Sequence, residues 1–82
     1  MQHSGKLVMM ANQIAKFFES QGEARALPQI TKHIEDFWDP RMRREIIAHI
    51  AAGGAGLDPL TLKALKNLKP VKASAPPVGA PQ

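Results

Sequence analysis

The chain has 82 residues, no cysteine, eleven lysines and arginines, and seven aspartates and glutamates. A chain this short forms one small domain with a thin core, and without cysteine it has no disulfide, thiolate zinc site, iron–sulfur ligand or cysteine nucleophile. The +4 charge is local: residues 1–58 carry seven bases and all seven acids, so the excess is Lys63, Lys66, Lys69 and Lys72. That is a basic stripe at one end, not a basic domain.

The longest apolar stretch, from Leu7 to Phe18, is interrupted by Asn12, Gln13 and Lys16, so no segment is predicted to span a membrane. The opening residues Met1 to Lys6 lack a basic n-region and a small-residue cleavage site. No signal peptide is expected, and the predicted location is cytoplasmic.

Four helices are predicted and no strand. The first starts after Ser4, a good N-cap, and runs to Gln21-Gly22. Its stripe is Leu7, Met10, Ala11, Ile14 and Phe18, with Phe17 at the edge and Met9 on the polar side. The second ends at Trp38 and gathers Leu27, Ile30, Ile34, Phe37 and Trp38 on one face. Pro28 is expected at its first position, after a short turn from Glu23, because a proline inside a helix costs about 3 kcal/mol. Asp39-Pro40 opens the third helix, with the carboxylate as N-cap and proline where no N–H is needed. Met42, Ile46, His49 and Ile50 form its inner face, and Ala51-Ala52-Gly53-Gly54 ends it. Leu57-Asp58-Pro59 repeats the capping device, with Leu57 packing on Leu62 as a hydrophobic staple. The fourth helix is expected to reach Leu68, before Pro70. Residues 70–82 hold four prolines and no aromatic residue, so a disordered tail is predicted beyond a 1–69 helical domain.

Three histidines are the only bases suited to neutral pH. His3 sits at the terminus, and His33 and His49 read as half-buried helix residues. Glu45 and His49 are an i,i+4 pair, but two ligands do not close a metal site and no HExxH spacing is present. Gly53, Gly54 and Gly56 follow a helix instead of a strand and precede Leu57-Asp58-Pro59, so they read as an interhelical turn and not as a phosphate loop. Neither a nucleophile nor an oxyanion hole accompanies these histidines, and no catalytic, cofactor-binding or metal-binding residue is assigned.

Arg41, Arg43 and Arg44 occupy the first turn of the third helix, where the helix dipole disfavours positive charge. Two readings stand. They form a local ion-pair cluster with Asp36, Asp39 and Glu45, or they dock on a partner's carboxylates or carbonyls. Apolar residues off the core stripes also point to an interface. These are Val8, Met9, Ile47 and Trp38, together with the wide spread of Leu60, Leu62, Ala64, Leu65 and Leu68.

Three stretches carry a family resemblance: Leu7 to Phe18, His33 to Arg43 with its centre Phe37-Trp38-Asp39-Pro40-Arg41-Met42-Arg43, and Gly53 to Leu60. In this order and spacing they resemble the small delta subunit of soluble NAD-dependent formate dehydrogenases, over residues 5 to 65. The resemblance implies a noncatalytic helical accessory subunit that supports assembly or stability of the complex, with cofactor insertion as a further role. It also implies that the molybdenum or tungsten pterin, the iron–sulfur clusters, FMN and NAD reside on other subunits, none of them on this chain. Its partners would be the large subunits. Contact candidates are Met9, Trp38, Arg41, Arg43, Arg44 and Ile47, with Gly53, Gly54, Gly56 and Leu57 as a turn beside the partner. Asp39, Pro40, Asp58 and Pro59 serve as helix caps. The competing reading is a small nucleic-acid-binding module using the lysine stripe and the arginines on phosphates, and self-association of the free chain also stays open.

Overall fold

Local chemistry decides where each helix starts and stops. The computed structural model describes residues 4–69, which form α1 (Ser4–Glu19), α2 (Glu23–Phe37), α3 (Pro40–Ala51) and α4 (Pro59–Leu65). There is no strand among the described residues, and the chain is all-α. The expectations for His3, Lys72 and the 70–82 tail lie outside the described residues.

Ser4 is the first residue of α1 instead of its cap. Gly22, at φ 91°, breaks the chain between α1 and α2, a backbone conformation that side chains other than hydrogen resist. Contrary to expectation, α2 is continuous through Pro28. Pro28 has no N–H for the Ala24 carbonyl, yet Ala26, Ile30 and Ile34, all fully buried on the same helix, hold it together. Burying each isoleucine stabilises by about 1.5–3 kcal/mol, enough to offset the proline.

The α2–α3 corner matches the expected capping chemistry. Asp39 is extended at φ −73° and ψ 166°, and its Oδ1 accepts from the Met42 N–H at 2.9 Å. Asp58 repeats the backbone conformation and places Pro59 at the helix start, but its side chain makes no cap bond. The repeat is therefore half realised. α4 also stops at Leu65, short of Leu68, which folds back through a turn from its N–H to the Leu65 carbonyl and is buried.

The core has two parts. One gathers Leu7, Val8, Ala11, Ile34, Trp38, Ile46, Leu65 and Leu68, with contributions from all four helices. The other is Ala15, Ala26, Ile30 and Ala64, where small side chains let α1, α2 and α4 approach closely. Thr31 Oγ1, on α2, lies 2.8 Å from the Ala64 carbonyl of α4 and 3.0 Å from the Leu27 carbonyl, sharing one proton between them. Val8, expected at the side of α1, is core, because the inner face of α1 is turned toward Val8 and Ala15.

Phe37 and Trp38, expected together on the inner face of α2, part company. Phe37 is the last residue of α2 and is 72% exposed, whereas Trp38 is 5% exposed. The cause is backbone geometry: Trp38 leaves the helix at φ −89° and ψ 135°, which turns its indole into the core. The helical stripe places Trp38 correctly and Phe37 wrongly, and the burial of Trp38 removes it from the contact candidates.

Candidate functional site

One side of the α1–α2 pair carries a run of aromatic rings. Phe17 is 75% exposed and meets Phe18 edge-on at 5.1 Å between centroids. Phe18 faces His33 at 6.3 Å, and His33 lies against Phe37 at 4.7 Å with a 39° tilt. Met10, Gln13 and Ile14 complete a cleft of about 350 Å³ with Phe17, Phe18 and His33. Only Gln13 and His33 bring polar groups to it. An apolar cleft with a few polar groups is the general form of a binding site. Sequence reasoning placed Phe17 at the rim of the core and Phe37 inside it, so this face was missed; the i,i+4 spacing of His33 and Phe37 was its visible sign.

The second feature is the corner at the start of α3. Arg41 and Arg44 are exposed, and Arg43 is half-buried with its Nε buried and without a hydrogen-bond partner. The local ion-pair reading does not hold among the described residues. Asp36 pairs with Lys32 at 2.9 Å, hydrogen bonding and charge together raising the lysine pKa, and Asp39 caps α3. The other ion pair among the described residues joins Lys63 to Glu23, taking one lysine of the basic stripe. Trp38, expected to be a contact, supports this corner from within the core. Ile47 is half-buried and packs on the same core cluster. Met9 is 63% exposed on the outer side of α1.

The third feature is the loop over residues 53–58. Gly54 is buried at φ 67°, and a Cβ there would come within 3.1 Å of Leu62 Cδ1 and 3.7 Å of Leu57 Cδ1. The predicted staple residues thus converge on a glycine that leaves them room. Gly53 and Gly56 are exposed, and a Cβ on Gly56, at φ 86°, would meet Val8 at 3.3 Å. Asn12 was not singled out from sequence, yet it clasps this loop to α1. Its Nδ2 donates to the Gly56 carbonyl at 2.9 Å, and its Oδ1 accepts from the Asp58 N–H at 3.0 Å. His49 Nε2 lies 2.7 Å from the Ala55 carbonyl, so this histidine fastens the loop to α3. Among the described residues, no three histidine or carboxylate side chains gather as a metal site would require. No helix there is long and apolar enough to cross a membrane.

The family model of the NADH-dependent formate dehydrogenase delta subunit, FdsD, matches residues 6–65. The chain belongs to that family. Comparison with curated proteins and with solved structures gives no match. In this FdsD-family chain the matched stretch takes in the aromatic cleft, the arginine corner and the clasped loop together. Leu68 and Lys69, which close the described structure, lie just beyond it.

Proposed function

We propose that this chain is a noncatalytic accessory subunit of an NAD-dependent formate dehydrogenase and supports the assembly or stability of the complex by docking on a large subunit. The observation that carries this reading is the exposed Phe17–Phe18–His33–Phe37 face on a chain of the FdsD family. A domain this small gains little by leaving two of its three phenylalanines in water, and such a face is the usual mark of a surface that another chain covers. The molybdenum or tungsten pterin, the iron–sulfur clusters, the flavin and NAD belong to the large subunits in this reading. Assistance with cofactor insertion is its finer form, in which the chain docks on an immature large subunit.

The test is purification of the tagged full chain from its native cell, with metal analysis and a formate-dependent NAD reduction assay on the eluate. A stoichiometric, metal-containing, formate-oxidising complex is expected. Recovery with metal-free large subunit alone would assign the insertion role instead. Recovery of nucleic acid, or of the chain by itself, would refute the accessory-subunit reading.

A further inference from the structure

The arginine corner defines the chemistry of the partner at that point. Every aspartate and glutamate of the chain lies between Glu19 and Asp58, within the described residues, so all internal carboxylate candidates are accounted for. None of them forms an ion pair with Arg41, Arg43 or Arg44. Three positive charges thus lie within the first five residues of α3, the end at which the helix dipole disfavours them. Arg43 differs from its two neighbours in being half-buried: its Nε is covered by the chain's own atoms and has no acceptor, so the guanidinium is held against the surface by its stem.

We propose that Arg43 is the anchor for a carboxylate side chain of the large subunit, received by its two terminal guanidinium nitrogens, Nε being covered by the chain's own atoms. This rests on the accessory-subunit reading above and names the contact that reading leaves open. Planar, two-point recognition of a carboxylate is what guanidinium does and ammonium cannot. Arg41 and Arg44, exposed one turn apart at the same helix end, have the role of exposed interfacial charges: they steer the approach and set its salt dependence. Nucleic-acid phosphate offers similar oxygens. A large subunit is favoured because the lysine stripe that would extend a phosphate track is partly consumed by the Lys63–Glu23 pair and because an apolar face accompanies the corner.

The experiment replaces the cell's own copy with Arg43→Lys, Arg43→Met or the double change Arg41→Gln/Arg44→Gln. It measures how much full-length chain stays on affinity-purified formate dehydrogenase across a salt series, and the melting midpoint of each free chain. Arg43→Lys and Arg43→Met should each reduce retention at least about tenfold, the scale for truncating a buried charged contact. Arg43→Met should also raise the melting midpoint by a few degrees, because it removes an orphan N–H and keeps an apolar stem. The double change should flatten the salt dependence.

Wild-type chain that is retained while both Arg43 variants are retained equally well overturns the anchor and leaves the accessory role standing. Arg43→Met lowering both retention and melting midpoint also overturns it, because Arg43 would then be packing alone. Loss of bound RNA or DNA on Arg43→Met, with large-subunit retention unchanged, replaces the carboxylate by phosphate. Wild-type chain that never co-purifies with the enzyme refutes both proposals.

Discussion

Thr61 is fully buried, and its Oγ1 has no hydrogen-bond partner among the described residues. A threonine without a bond is a valine that costs more to bury. Thr61→Val keeps the shape and removes the orphan hydroxyl, so it should stabilise the free chain by about 1 kcal/mol. Thermal unfolding should show this as a rise of roughly 4–8 °C for a domain of this size. Single residues also show what the sequence reveals and what it hides. Asp39 and Pro40 were legible because a cap is made within four residues, by a carboxylate and a missing N–H. Phe37 was not, because it lies at the edge of the α2 stripe, and periodicity alone does not say which edge another helix covers.

Among the elements, the loop between α3 and α4 depends on a side chain 44 residues away, since Asn12 holds both Gly56 and Asp58. Asn12→Ala should destabilise the chain by about 1–2 kcal/mol, two solvent-accessible hydrogen bonds being lost and partly replaced by water. The loss should appear in urea unfolding as a lower midpoint at unchanged slope. The glycines that end α3 were readable as a stop because positive φ is a local demand. That the stop is tied to α1 was not, since nothing near Asn12 in sequence distinguishes a clasp from an ordinary solvated amide. Pro28 illustrates the opposite limit. A propensity rule placed a helix boundary there, and the tertiary burial of Ala26, Ile30 and Ile34 overrode it.

For the molecule as a whole, the four-helix content and the family were readable, whereas the face that carries the proposed function was not. Inward-pointing residues follow a periodicity, but which edge of the stripe stays uncovered depends on how α1 and α2 meet. Phe17→Ser combined with Phe37→Ser should leave stability within about 0.5 kcal/mol of the parent, both side chains being mostly in water. Co-purification with the large subunits should fall sharply, and calorimetry beside pull-down separates the two effects.

The way α3 is fastened has a consequence for how tightly such a small surface can hold. Its start is anchored by the buried indole of Trp38 and the Asp39 cap, and its end by the loop that Asn12 and His49 secure. A helix pinned at both ends presents Arg41, Arg43 and Arg44 from a backbone that is already ordered. Binding by a loose segment must freeze that backbone as well as the side chains, each side chain alone costing about 0.5–1.5 kcal/mol. Here the backbone share of that entropy is lost in folding, before any partner arrives. In the docking proposed above, preorganisation of this kind would lengthen residence time without adding a contact.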